Sequence, residues 1–504
     1  MPHTDGRDNP STALQQGLAL QQAGHIQDAL RLYNEILTAT PTHAPALNFA
    51  GIAHFQLGHA EQAIALLERA TAVDPSYAEA YRNLGIVLRD LGKLDEAAQA
   101  HERVLELMPD YAIGHNDLGI VLRKLGRFES AASAYRRALE LQPDYVEAHA
   151  NLGNVLVDQD RINEAIDSYQ HAITRDPNIA SVHRSLGTAL QRQGKLDEAI
   201  ASYRQALAIN PDYAQAHTNL GSALVEKGNP REGADCFRRA LQLNPRATDT
   251  HVMLGIALHD LGDLPGALDA YESSLTLNPG NSYALAYKSI ALYEAGDHEA
   301  ARELVDFDRL VRPIHVDAPP GYSSLAEFNA ALAEYALSHP SLSRETIRHR
   351  TQTAELMIEP DGPVIALRQL ICDAVEAYAQ ALPLDPKHPF LAKRPPTRFR
   401  LHGWANVLDE EGAAAHVHPS GWISGVYYVS LPSAIDDPQE SHGGWIEFGR
   451  PEPRFYRDRE YDIKVVKPAE GLMLLFPSYI WHRIVPFADR KRRISYAFDV
   501  IAET

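Results

Sequence analysis

The chain has 504 residues, 45% hydrophobic and 22% charged, with a formal net charge of -19. That length exceeds one ordinary core, so two or more domains are expected, and the composition is that of a globular rather than a disordered chain. The acidic balance argues against a nucleic-acid binder, and only two cysteines, Cys236 and Cys372, exclude a disulfide framework and fit a reducing compartment.

The opening "MPHTDGRDNP" is polar and lacks a secretory apolar segment, so residues 1–9 are expected to be a disordered N-terminus. No run of about 18 apolar residues occurs, so no membrane span is expected and the chain reads as cytoplasmic.

From residue 10 the sequence keeps a ruler of 34 residues: glycine recurs from Gly17 to Gly255, and proline from Pro41 to Pro279. A small residue follows each glycine by twelve, from Ala29 through Gly233 to Ala267. Each unit, such as "YAEAYRNLGIVLRDLGKLDEAAQAHERVLELMPD", reads as two amphipathic helices. Glycine and alanine let helices approach closely, and proline ends the second helix. The pattern resembles the tetratricopeptide repeat over residues 10–311, with eight repeats beginning near 10, 44, 78, 112, 146, 180, 214 and 248. A degenerate ninth starts at about 282, where Ser289 replaces the glycine and Ala301 keeps the alanine. An atypical last repeat is expected as a cap.

The residue before each Leu-Gly pair runs Asn83, Asp117, Asn151, Ser185, Asn219, Met253. An asparagine amide can donate to and accept from a peptide backbone at once. The series is similar to the asparagine ladder of protein-glycosylating relatives of this repeat class, which implies a groove for extended polypeptide along Asn83, Asp117, Asn151 and Asn219. The plainer alternative is that these residues solvate the groove.

After residue 311 the ruler stops. The turn-rich "VRPIHVDAPPGYSS" and the helix-like "LAEFNAALAEYALS" and "PVIALRQLICDAVEAYAQAL" make 312–394 a linker with supporting helices. Residues 395–504 turn to period two, with strands near 398–407, 423–431, 444–448, 462–467, 472–477, 481–486 and 493–501, as in a β-sandwich or barrel. His416 and His418 are two apart and share a strand face, and His482 follows an apolar strand and an "FPS" turn. Arg493 and Ser495 should both point inward, and a buried guanidinium needs an anion. Tyr427 and Tyr428 leave opposite faces, so one enters the barrel. Trp445 and Phe448 read as core, and His442 as a loop residue.

The stretches "HVHP", "SGVYYVSLP", "GGWIEFG", "PAEGLMLLFPSYIWH" and "RRISYAF" resemble the Fe(II)/2-oxoglutarate-dependent dioxygenases, whose core is a double-stranded β-helix. The resemblance implies a multidomain α + β chain: an N-terminal α-solenoid, then a C-terminal jelly-roll over 395–504 with supporting helices. It makes His416 and His482 iron ligands and Arg493 the anchor of the far carboxylate of 2-oxoglutarate. Ser495 would help, and Tyr427 or Tyr428 could donate to the cosubstrate. His418 stands where the family has a carboxylate. It could be a third ligand, stand aside, or take the place of His416. The cofactors implied are Fe(II), 2-oxoglutarate and O2. Aspartyl/asparaginyl β-hydroxylases also couple such repeats to such a barrel, so hydroxylation of a polypeptide side chain held by the solenoid is the expected function. The alternatives are a small-molecule hydroxylase with a regulatory solenoid, and an inactive barrel on a peptide-binding adaptor.

Overall fold

The computed structural model describes residues 10–345, 350–392, 396, 398–410, 413–419, 421–436, 442–455 and 461–503. The expected disordered stretch 1–9 lies outside them. The chain forms two compact units, Met1–Ala223 and Leu224–Thr504.

In the first unit, helices of 13 and 14 residues alternate, as in Ala78–Asp90 with Leu94–Leu107 and Ala112–Lys124 with Phe128–Leu141. Gly126 separates the latter pair at φ 74°, a left-handed turn that glycine adopts without a Cβ penalty. The helical glycines have another role. A Cβ on Gly119 would lie 2.6 Å from the Tyr135 ring, and one on Gly153 would lie 2.5 Å from Tyr169. Each therefore receives the aromatic ring of its partner helix. The prolines also do more than end helices: Pro109, Pro143, Pro177 and Pro211 offer their carbonyls to Nε2 of His115, His149, His183 and His217 at 2.8–2.9 Å.

Leu67 fills the corresponding slot beside Gly51, and one further repeat departs from the tyrosine series with a polar ring. Tyr33, Tyr135, Tyr169 and Tyr203 are buried in the slot beside the glycine, but the repeat after Gly85 places His101 there, fully buried, with both ring nitrogens lacking a hydrogen-bond partner among the described residues. Burial holds the His101 pKa down at about 4, with nearby Asp117 pulling the other way. Unfolding restores an ordinary value near 6.5, so the unfolded chain takes up a proton that the fold withholds. Stability is thus expected to fall as pH drops from about 6.5 to about 4, by up to ~3 kcal/mol from this residue. His101→Tyr should remove that slope and add roughly 1–2 kcal/mol at pH 7 by removing the unpaired imidazole. The next repeat supports the fit, because Tyr135 fills the slot beside Gly119 with Ile120 and Arg123 at the sequence offsets that Ile86 and Arg89 hold to residue 101. Denaturant melts of both proteins at pH 7 and pH 5 check this.

The second unit begins inside the helix Ala214–Glu226 and continues through the repeat helices Pro230–Leu243, Thr248–Asp260, Leu264–Leu277, Ser282–Glu294 and His298–Leu304. Two antiparallel sheets follow. Their strands are β1 (Arg312–His315), β2 (Ser343–Glu345), β3 (Arg350–Gln352), β4 (Phe399–Glu410), β5 (Ala413–His416), β6 (Ile423–Ser430), β7 (Ile446–Phe448), β8 (Lys464–Val466), β9 (Leu472–Pro477), β10 (His482–Ile484) and β11 (Ala488–Ala502). The larger sheet runs β1-β9-β6-β11-β4-β3-β2 and the smaller β5-β10-β7-β8. Together they form the jelly-roll.

The expected linker corrects in part. Its Arg312–His315 stretch pairs with β9 as an edge strand, the position in a sheet that tolerates Pro313.

Alternation divides the larger sheet's side chains between two cores. Ile494, Tyr496, Phe498 and Val500 pack with Tyr427 against the helices Leu325–Ser338 and Val364–Ala381. The opposite face of β6 and β9, with Val426, Tyr428, Leu474 and Phe476, shares a core with Ile446 and Phe448 of the smaller sheet. That core also takes in Leu258, Tyr271, Leu285, Tyr287 and Ile290 of the last repeats.

The ninth repeat is therefore not a polar cap. Its helix Ser282–Glu294 carries Leu285, Tyr287 and Ile290 into the core shared with the sheets. Trp481 Nε1 donates to the Ala286 carbonyl at 3.1 Å, Tyr287 donates to Glu452 at 2.9 Å, and Tyr479 donates to the Leu304 carbonyl at 2.7 Å. The contact boundary accordingly falls at residues 223/224, inside the repeat series. A fragment beginning at Ala214 is expected to melt cooperatively, whereas one beginning at Arg312 should not. The shorter fragment exposes the apolar half of a shared core, at roughly 1.5–3 kcal/mol per large side chain. Circular dichroism melts of the two fragments decide it.

Candidate metal centre

Two strand ends and the turn after β5 build the site. His416 closes β5 and is the register partner of His482, which opens β10. His418 follows two residues later, its backbone N–H donating to the Ser478 carbonyl at 2.9 Å. One ligand atom from each of these histidines lies within 4.8 Å of the others. The ring centroids are 4.4 Å apart for His416 and His482, 5.1 Å for His418 and His482, and 5.2 Å for His416 and His418.

The hydrogen bonds set the ring chemistry. Nδ1 of His416 meets the Ala414 carbonyl at 2.8 Å, Nδ1 of His482 meets the Ile480 carbonyl at 3.0 Å, and Nδ1 of His418 meets the Asp499 carboxylate at 2.7 Å. Each Nδ1 therefore acts as donor, which puts the lone pair on Nε2, the tautomer a metal ligand needs.

Arg493 and Ser495 line the same cavity as the three histidines. Arg493 is 1% exposed, and its Nη1 donates to Ser495 Oγ at 3.2 Å. Its Nε has no hydrogen-bond partner, and no carboxylate pairs with it among the described residues. Burial pushes the guanidinium pKa below its usual value, with adjacent Tyr428 acting the other way. The Tyr428 ring centroid is 5.1 Å from the guanidinium carbon. Tyr427 is corrected: its hydroxyl donates to Asn329 at 2.7 Å in the other core, so it does not face Arg493. The register Ser495↔Tyr428 and Tyr496↔Tyr427 decides which of the two enters. Phe448 is core, Trp445 is half-buried with its indole N–H on the Ile435 carbonyl, and His442 is exposed in a left-handed turn.

Sequence reasoning missed three residues here. Asp499 stands six after Arg493, on the same face of β11, so the period-two count already contained the signal. Trp404 and Asn406 occupy that face on β4, since Asn406 is paired with Ser495 and Trp404 with Ala497. Both line the cavity, and Trp404 Nε1 and Asn406 Oδ1 lack hydrogen-bond partners among the described residues. Trp404 stacks on His418 with ring planes 9° apart.

In the first unit the groove residues are tied to their neighbours. Nδ2 of Asn83, Asn151 and Asn219 donates at 3.0 Å to Asn48, Asn116 and Thr188 of the preceding repeats, and Asp117 accepts from Arg82 Nε at 2.6 Å. A groove lies beside Asn116, Arg123, Tyr145, Asn151, Tyr169 and Arg184.

Residues 402–499 match the family model described as "Putative 2OG-Fe(II) oxygenase". Tetratricopeptide-repeat models match residues 20–85, 76–144, 116–180, 192–228, 218–282 and 252–306. No curated protein matches the chain. Among solved structures it is similar to YrrB, described as a TPR protein with an unusual peptide-binding site, at 23% identity and TM-score 0.34 over 38% of this chain and 98% of that one. It is similar to a chain of the APC/C hetero-tetramer Cut9-Hcn1 at 18% identity and TM-score 0.42, over 53% and 52% of the two chains. The likeness to Pseudomonas aeruginosa pilF is 22% identity and TM-score 0.36, over 39% and 90%. Among the described residues no helix is long and apolar enough to cross a membrane. The chain therefore carries tetratricopeptide repeats across its N-terminal region and, at its C-terminus, a domain that matches that oxygenase model.

Proposed function

We propose that the C-terminal domain is an Fe(II)- and 2-oxoglutarate-dependent dioxygenase that hydroxylates a polypeptide side chain. One observation carries the reading: a fully buried arginine without a counter-anion among the described residues shares a cavity with three imidazoles whose ligand atoms converge. A buried cation without a partner is costly, and a dicarboxylate whose other end chelates the metal offsets that cost.

His416, His482 and His418 would hold Fe(II). Arg493 would pair with the far carboxylate of 2-oxoglutarate, with Ser495 Oγ beside it and Tyr428 packed against the guanidinium. Val426, Ile446, Phe476, Ile484 and Ala497 exclude water around them. The unpartnered Trp404 Nε1 and Asn406 Oδ1 supply one donor and one acceptor in the wall to orient what binds. Bound iron, 2-oxoglutarate and O2 supply the oxidising chemistry, and the chain supplies ligation, orientation and a dry cavity. The groove beside Asn116, Asn151 and Arg184 supports a polypeptide as the substrate, since amides, guanidinium groups and aromatic rings line it together.

The test is succinate release from 2-oxoglutarate with Fe(II), for the full chain and for a fragment beginning at Ala214, with and without extended polypeptides. Turnover that polypeptide stimulates only in the full chain is expected. Absence of any Fe(II)-dependent succinate sinks the enzyme, and equal activity of the fragment on a small molecule sinks the polypeptide.

A further inference from the structure

The three imidazoles are not supported alike. His416 and His482 each place Nδ1 against a backbone carbonyl, of Ala414 and Ile480. His418, which occupies the position of the family's carboxylate, has its Nδ1 on a carboxylate instead. Asp499 places Oδ1 at 2.7 Å and Oδ2 at 2.9 Å from His418 Nδ1.

The pair is built in. The side chains of His418 and Asp499 are 12% and 14% exposed. Ser424 Oγ donates to Asp499 Oδ1 at 2.6 Å and lies 2.8 Å from Ser478 Oγ. Ser478 in turn accepts the His418 backbone N–H through its carbonyl. Ser424 of β6, Asp499 of β11 and Ser478 in the turn after β9 thus fix the His418 imidazole and the carboxylate together, while Trp404 covers the ring's face. No arginine or lysine forms an ion pair with Asp499 among the described residues, so its charge is directed at His418.

We propose that Asp499 is the carboxylate of the facial triad moved one residue outward: a positioning residue that acts on the metal through His418. It fixes the tautomer that presents Nε2, and it restores behind the ring the negative charge that a face of three neutral imidazoles lacks. This rests on reading His416, His418 and His482 as the iron face. It adds that His418 ligates, and that it can do so because of Asp499.

Asparagine at 499 separates the two contributions, since its carbonyl can still accept the Nδ1 hydrogen while the charge is gone. The experiment titrates Fe(II) alone, under nitrogen, and Co(II) alone into the full chain, Asp499→Asn, and Asp499→Asn combined with His418→Asp. Dissociation constants, the Co(II) d–d spectrum and the melting temperature without metal are recorded. Asp499→Asn is expected to weaken both metals by roughly 10–100-fold while melting close to wild type. Adding His418→Asp should recover most of that loss and shift the Co(II) bands, because a carboxylate oxygen replaces a nitrogen on the metal. Affinity of Asp499→Asn within about threefold of wild type overturns the proposal and leaves the iron site standing, because outer-shell carboxylates of this kind matter more than that. Failure of the wild type itself to bind either metal overturns both.

Discussion

Replacing His482 by alanine is expected to weaken Fe(II) binding by more than about 100-fold and to bring succinate release to background. Outer-shell changes alone cost about 10–100-fold, and this change removes a ligand itself. His482 is the hub of the cluster, paired in register with His416 and lying nearer to each of the other two rings than those two lie to each other. The ring also packs 4.8 Å from Phe476 and 6.3 Å from Phe448, so its loss leaves a gap costing about 1–3 kcal/mol of stability. Equilibrium dialysis against Fe(II) under nitrogen, with a thermal melt, separates the two effects. Unchanged affinity would remove His482 from the metal.

Arg493→Met is expected to act in the opposite sense on stability. The guanidinium is buried, its Nε is unpartnered, and burial alone drives its pKa down, so without cosubstrate it weakens the fold. Methionine is of similar volume and keeps contact with the Tyr428 ring. The variant should melt several degrees higher, corresponding to about 1–3 kcal/mol, while Fe(II) affinity stays near wild type. Its affinity for 2-oxoglutarate should fall by about 30-fold to 1000-fold, the loss of a buried charge-assisted pair. Calorimetric titration of 2-oxoglutarate into the Fe(II)-loaded proteins under nitrogen reads this directly. Cosubstrate binding unchanged by the substitution would release Arg493 from the site.

How far the sequence could be read depended on what each signal reports. A repeat of 34 residues reports a unit that packs on its neighbours, so helices beginning at Ala44, Ala78, Ala112 and Val146 were legible without a structure. The same ruler is silent about what covers the last unit. The helix Ser282–Glu294 keeps its place in the series, yet it buries Leu285, Tyr287 and Ile290 against strands that are far away in sequence. Its lack of a polar face was the available sign, and it points to cover rather than to a cap.

In the jelly-roll, alternation reports which residues share a face but not which face looks inward. His416 with His418, and Arg493 with Ser495, could be grouped by counting in twos, and the family resemblance placed the groups in one cavity. Tyr427 and Tyr428 could not be sorted until the β6–β11 register was known. Asp499, Asn406 and Trp404 lay within the same count, but a lone polar residue in a strand carries no sign of its partner across the sheet. The short strands β2 and β5 escaped notice because three or four residues are too few to show a period. The asparagine series marked a real line of polar residues. What it could not show is that Asn83, Asn151 and Asn219 each lend an amide hydrogen to the preceding repeat, which reduces what they can offer a bound peptide.

The most direct measurement is the visible charge-transfer absorption of the Fe(II)-loaded protein on adding 2-oxoglutarate under nitrogen. The wild type is predicted to develop the band and saturate, His482→Ala to show none, and Arg493→Met to show it only at far higher cosubstrate. A wild type that holds Fe(II) yet never develops the band, or a His482→Ala protein that matches it, would contradict the account.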